Sequence, residues 1–189
     1  SKLARRATDA AIKFSVLKLR NESGRPRRLS ATAYVEWVLG DLRAKSAMHV
    51  STEIDSASGA LLARNPFNAE FAERVAFFDV DDPTRRVSGD RAEFVGRNGS
   101  LRHPAALGRS RLSGTVGAGL DPCGAIQVTV DLPAGQAGEI VFRLGVGRNA
   151  DAEDAYTRAM NAAKRALQLA QARYDAGYSP YLEVLSAQR

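Results

Sequence analysis

The sequence predicts a mainly β protein: an antiparallel β-sandwich followed by a C-terminal α-helix and a short second helix. Three observations carry this. Alternating apolar residues recur in about eight short runs, the signature of half-buried strands. Turns rich in Gly, Pro, Asn and Asp separate those runs, with no helical stretches between them, which argues against a parallel α/β sheet. From Asp151 onward the apolar period changes from 2 to about 3.6. That change sets the expected organisation, a sandwich domain over residues 1–149 and a helical segment over 150–189.

Each element follows from its own pattern. Ile12, Phe14 and Val16 alternate with Lys13 and Ser15, and the run to Leu19 is a strand. The turn formers Asn21-Glu22-Ser23-Gly24-Arg25-Pro26 end it. The longest alternation comes next: Leu29, Ala31, Ala33, Val35, Trp37 and Leu39 against Ser30, Thr32, Tyr34 and Glu36. It predicts a central strand, with Trp37 filling a large core volume. His49–Ile54 is β-branched and extended, and Ser56–Gly59 turns the chain towards Asn65-Pro66-Phe67-Asn68. Val75–Val80 and Ala92–Val95 read as short strands, and Gly96–Leu107 as a surface loop. Ile126–Leu132 and Ile140–Leu144 read as a hairpin around Pro133-Ala134-Gly135.

In the C-terminal segment, Ala152, Ala155, Tyr156, Ala159 and Met160 begin a helical apolar stripe that runs on to Tyr174. Asp151, Glu153 and Asp154 sit in its first turn, where carboxylates favour the helix dipole. Gly177 stops it, and Ser179-Pro180 suits the cap and first residue of a second helix.

Composition narrows the function classes. The chain has 189 residues, 44% hydrophobic and 25% charged, an ordinary globular balance rather than a disordered one. No apolar run approaches the roughly 18 residues that span a bilayer as a helix, so membrane insertion is not expected. The N-terminus SKLARRATDA lacks an apolar signal core and a starting Met, and reads as an excised or processed piece. The net charge is +6, with 22 Arg against 5 Lys, and the whole excess lies in residues 1–150. Arg25, Arg27 and Arg28 cluster in one turn, and Arg85 and Arg86 in another. Without interleaved aromatics or a helix-turn-helix pattern, the better reading is a solvated arginine surface and no nucleic-acid partner.

The chemistry-bearing residues form no active-site motif. Cys123 is the one cysteine and reads as a small buried thiol. His49 and His103 are far apart in sequence and fit no metal or triad spacing. Gly114-x-x-Gly117-x-Gly119 lacks the Lys-Ser/Thr of a phosphate loop and reads as a loop or bulge. Asp79, Asp81, Asp82 and Asp90 lack the glycine and terminal Glu of a calcium loop and read as a solvated acidic turn. Asn21-Glu22-Ser23 and Asn98-Gly99-Ser100 fit the glycosylation sequon, which is common by chance. The expectation is no catalytic residue, no metal and no cofactor: a scaffold or binding module rather than a self-sufficient enzyme.

Four segments carry a resemblance: Asn21–Leu39 (NESGRPRRLSATAYVEWVL), Thr52–Asn68 (TEIDSASGALLARNPFN), Gly89–Ser100 (GDRAEFVGRNGS) and Leu112–Cys123 (LSGTVGAGLDPC). Through them, residues 16 to about 147 resemble the sandwich domain of bacterial cyclic β-1,2-glucan synthases. Those enzymes are related to the cellobiose-phosphorylase-like glycan phosphorylases. The resemblance implies a supersandwich-like fold, incomplete here because it starts after the family's first strands. It also implies a catalytic (α/α)₆ helical barrel, which supplies the general acid and lies outside this chain. It further implies residence in the cytoplasm or at the inner membrane, as part of a larger bacterial enzyme.

Residues 155–189 resemble instead a helical segment of TolC-type outer-membrane efflux proteins, through Ala172-Arg173-Tyr174-x-x-Gly177 and Tyr181-Leu182-x-Val184-Leu185. Barrel strands and a second repeat are missing, so a helical interaction module driving homo-oligomerisation, or a chimera, is the alternative. The leading expectation is a non-catalytic, carbohydrate-associated sandwich with β-1,2-glucan as ligand. Arg64, Asn65, Asn68, Arg97 and Asn98 are its candidate sugar contacts, chosen because Arg and Asn donors suit hydroxyls and phosphate.

Overall fold

The computed structural model describes residues 11–70 and 72–148. The chain divides after Ala150, and every described residue belongs to the first unit. The two helices expected over residues 151–189 lie outside the described residues.

Eight strands form two antiparallel sheets: β1 (Ala11–Arg20), β2 (Arg27–Glu36), β3 (Ser51–Ile54), β4 (Leu61–Arg64), β5 (Arg74–Val80), β6 (Arg86–Asp90), β7 (Pro122–Leu132) and β8 (Ala137–Arg148). One sheet has the order β1-β8-β5-β4-β3 and the other β2-β7-β6. Two one-turn helices, α1 (Arg43–Ser46) and α2 (Arg91–Val95), interrupt the strands. The sheets share one core. Ala31, Val87, Ile126 and Val128 come from the three-stranded sheet, and Ala63, Ala76, Phe78, Val80, Ile140 and Phe142 from the five-stranded one. Alternation explains this directly, because every second residue of each strand faces the partner sheet. The mainly β, antiparallel, two-sheet reading of the sequence holds.

Four local expectations are corrected. Ile126–Leu132 and Ile140–Leu144 do not form a hairpin: β7 pairs with β2 and β8 with β1, in different sheets. β2 is not central, since β7 is its one neighbour among the described residues. Ala92–Val95 is not a strand but most of α2, which Asp90 caps by accepting a hydrogen bond from the Ala92 amide at 3.0 Å. The fourth concerns Arg86–Asp90, which has too little apolar sequence to announce itself and is nonetheless β6, with Val87, Ser88 and Gly89 buried.

Asn21 explains why the chain changes sheets twice at one place. It is 5% exposed at the end of β1, where the β1–β2 and β7–β8 connections meet. Its Nδ2 donates to the carbonyls of Arg25 (2.8 Å), Leu132 (2.9 Å) and Pro133 (3.0 Å). Its Oδ1 accepts from the Ser23 amide and hydroxyl. Its backbone bonds Gln136 and Gly135. The same burial makes this sequon asparagine unavailable to a glycan in the folded chain. Replacing Asn21 with Ala strands two inter-sheet carbonyls. Chemical denaturation should show a loss of about 2–3 kcal/mol, and an unchanged midpoint would refute this role.

The glycine-rich stretch is a strap. The Gly114 amide donates to the Val87 carbonyl, and the Gly89 amide to that of Thr115. The Thr52 amide donates to the Gly117 carbonyl, and the Gly117 amide to Thr52 Oγ1. Residues 114–117 thus bond β6 of one sheet and β3 of the other. Gly114, Gly117 and Gly119 have φ values of 81°, 144° and 75°, which side chains disfavour.

Candidate functional site

Four of the five sequence-selected residues fall on two separate loops, and the fifth, Arg64, is the last residue of a strand. Arg64 ends β4 and pairs with Glu53 across the strands at 2.8 Å. Asn65 is 3% exposed: its Nδ2 donates to the Leu39 carbonyl and its Oδ1 accepts from the Phe67 amide. Asn68 Oδ1 accepts from the Glu70 amide. Asn65 therefore shapes the turn that presents its neighbours. The most prominent of those is Phe67, which is 76% exposed and has its ring centroid 4.6 Å from that of His49. Arg97 and Asn98 lie in the exposed turn that follows α2. The loop that Asn65 grips carries backbone strain, with Leu39 at φ 41°. Leu42 and Met48 nearby in the chain are also well exposed.

Sequence reading missed a cluster of charges on the outer face of the three-stranded sheet. Alternation that sends Ala31 and Ala33 inward sends Tyr34 and Glu36 outward. There Tyr34 stacks on Phe94 at 4.7 Å, and a second small core gathers Val95, Ala106, Leu112, Cys123 and Ala125. At its margin Glu36 accepts from Tyr34 (2.9 Å) and Arg91 (2.8 Å) and pairs with Arg43 at 3.3 Å. Arg43 and Arg91 also both bind Asp121. Two carboxylates and two guanidiniums close a ring that ties β2, α1, α2 and the start of β7. The signal was present as the spaced Glu36, Arg43, Arg91 and Asp121, but no local pattern joins them.

The electrostatics of this ring are those of a structural clasp. Partial burial pushes the Glu36 carboxyl upward, but the hydrogen bonds from Arg91 and Tyr34 and the charges of Arg43 and Arg91 outweigh it, leaving the pKa below the usual carboxylate range. Burial, then the bond to Glu36, raises the Tyr34 hydroxyl. Burial, with the charges of Asp90, Asp121 and Glu36, pushes the Cys123 thiol up to about 12, so it is protonated and inert at neutral pH.

A depressed carboxyl stabilises the fold above its unfolded value, and that stabilisation is lost as pH falls through the folded one. Glu36→Gln should therefore lower stability by about 1–2 kcal/mol at neutral pH. The gap from wild type should close as pH falls below the carboxylate's ordinary 4.5. Urea midpoints taken across that range check this, and a pH-independent gap would sink it.

These groups do not form an acid–base pair. The carboxyls of Glu36, Asp55 and Glu93 are all shifted down from their ordinary values. A general acid working near neutral pH needs the opposite shift. Asp79, read from sequence as part of a solvated acidic turn, is instead fully buried and ion-paired with Arg143 and Arg85. Among the described residues, no group of three His, Cys, Asp or Glu side chains could hold a metal ion. No helix among them is long and apolar enough to cross a membrane.

Two packed antiparallel sheets with an ionic clasp on the outer face of one define a sandwich module. Comparison with known proteins gives its family: the chain belongs to the glycosyl hydrolase 94 supersandwich domains, whose family model matches residues 7–163. It is also 34% identical, over 136 residues, to the cyclic beta-(1,2)-glucan synthase NdvB of Rhizobium meliloti (strain 1021). That match takes in 71% of this chain and 5% of the relative, so the chain spans a small part of that protein's length. The family match runs past Ala150, into the stretch expected from sequence to be an efflux-type helix. The matches lend no support to an efflux helix or a chimera there, and that stretch lies outside the described residues.

Proposed function

We propose that this chain is the non-catalytic, carbohydrate-associated sandwich of a larger cyclic β-1,2-glucan synthase- or phosphorylase-like enzyme. The carrying observation is the 34% identity to a cyclic glucan synthase across 136 residues. In this reading the sandwich supports a catalytic helical barrel and helps frame its glycan, in the cytoplasm or at the inner membrane. Asn65 holds the loop that offers Arg64, Phe67 and Asn68, while Arg97 and Asn98 offer a second edge. Phe67, exposed and flanked by hydrogen-bonding side chains, suits the apolar face of a pyranose ring.

Isothermal titration of the full chain with β-1,2-glucan tests the reading. Heat should be measurable at millimolar sugar, and Phe67→Ala should weaken binding about tenfold. Absence of heat at that concentration, with the chain folded by circular dichroism, would count against glycan binding.

A further inference from the structure

On the outer face of the three-stranded sheet, beside the small core, two adjoining concavities of about 460 and 320 Å³ share Arg86 and Arg111 and form one open groove. Its volume is in the range of small-molecule sites, about 300–1,000 Å³. Strand register builds the floor: Arg86 stands opposite Gln127, and Arg28 opposite Asp131. The wall is the segment 109–114, fixed at two points. Leu112 is 3% exposed within the small core, and the Gly114 amide is bonded to Val87 at 2.9 Å. Backbone anchoring therefore brings Arg111 beside Arg86, without help from a carboxylate.

The charge of this groove is unbalanced. Arg109 is matched by Glu93 at 2.6 Å, and Arg28 is paired loosely with Asp131 at 3.8 Å. Arg86 donates to the Arg85 carbonyl, and Arg111 makes no hydrogen bond or ion pair among the described residues. Two guanidiniums lining one cavity repel each other unless an anion lies between them. The floor has spare polar capacity as well. Gln127 is 5% exposed and donates to Ser30 Oγ at 3.0 Å. Its side-chain oxygen accepts no hydrogen bond among the described residues.

We infer that the groove binds an oxyanion carried on a hydroxylated body, the class of phosphorylated or carboxylated sugars. Arg86 and Arg111 clamp the anion with paired N–H donors, as guanidinium forks do with phosphate and carboxylate. Ser110 and Thr129 line the same groove, and their hydroxyls meet the sugar. The saccharide body rests on the carbohydrate reading above; the anion does not.

The test is an NMR titration of the full, ¹⁵N-labelled chain, following the arginine Nε–H signals. The probes are glucose 6-phosphate, glucuronate and glucose. Both anions should move the Arg86 and Arg111 signals to saturation, and their ranking tells phosphate from carboxylate. Glucose should leave those signals in place. Arg86→Gln and Arg111→Gln should each weaken anion binding about tenfold or more, and added salt should weaken it further. Arg20→Gln, on the other sheet, should change nothing, and melting curves confirm that each variant is folded. Equal response to glucose, no response to either anion, or full affinity in the Arg86/Arg111 double variant would overturn the inference. A chain that binds these anions but gives no heat with neutral β-1,2-glucan keeps the anion site and loses the glucan reading.

Discussion

Replacing Trp37 with Ala should lower the stability of the sandwich by about 3–5 kcal/mol, the range for removing a large buried aromatic. Trp37 is 4% exposed and sits just past β2, inside the shared core. Its fit is set from the opposite strand. A Cβ at Gly124 would lie 2.9 Å from Trp37 Cζ2, 2.9 Å from Val35 Cγ2 and 3.3 Å from Leu61 Cδ2. The indole therefore occupies the space that glycine leaves on β7. Gly124→Val should cost about 1–3 kcal/mol by overpacking. Because the two sites share one volume, Trp37→Phe combined with Gly124→Ala should cost less than the sum of the single changes. Urea unfolding monitored by circular dichroism reads all of these. Strict additivity would show that the two positions are not in contact.

Replacing Arg143 with Met should also cost about 3–5 kcal/mol, because it leaves a buried carboxylate short of its main counter-charge. Asp79 and Arg143 stand opposite each other on β5 and β8, 0% and 5% exposed. Arg143 Nη1 is 3.3 Å from Asp79 Oδ2, and its Nη2 reaches Asp81 at 3.2 Å. Arg85 supports the far oxygen of Asp79 at 3.3 Å and donates to the Ser58 carbonyl. Removing both charges is a different experiment. Asp79→Leu with Arg143→Met takes away the desolvation penalty together with the attraction, and should recover most of the loss. A single Arg143 variant as stable as wild type would show that Asp79 is neutralised without Arg143.

Local pattern made much of this fold legible. The alternations around Ile12, Leu29, Ile126 and Ile140 and the short apolar run Val75–Val80 all belong to strands that pack on the shared core. What escaped was set by partners far away in sequence. Pro133-Ala134-Gly135 looks like a hairpin turn, but Asn21 takes the Leu132 and Pro133 carbonyls and the chain passes to the other sheet. The strand β6 is built on Ser88 and Gly89, small because Thr52 Oγ1 comes within 2.5 Å of where a Cβ at Gly89 would be. Asp90 was a readable cap for α2, outweighed by the apolar Ala92–Val95 run. The site was less legible. Donor chemistry drew attention to Asn65, whose acceptor holds its own loop and whose donor grips the loop at Leu39. The groove of Arg86 and Arg111 needed β2, β6, β7 and residues 109–114 to converge before their charges could be seen to face one another.

The nested pairing of β1 with β8 and β2 with β7 has a consequence for how the chain acquires its fold. The Asn21 clasp joins residues 111 positions apart. Among the described strands, β1 and β2 therefore have no partner in a growing chain until β7 and β8 emerge. Such high contact order slows folding, and the waiting strands are templates for pairing with other chains. Synthesis halted before Pro122 should yield a chain that depends on a chaperone, whereas one extended through Arg148 can close both sheets together.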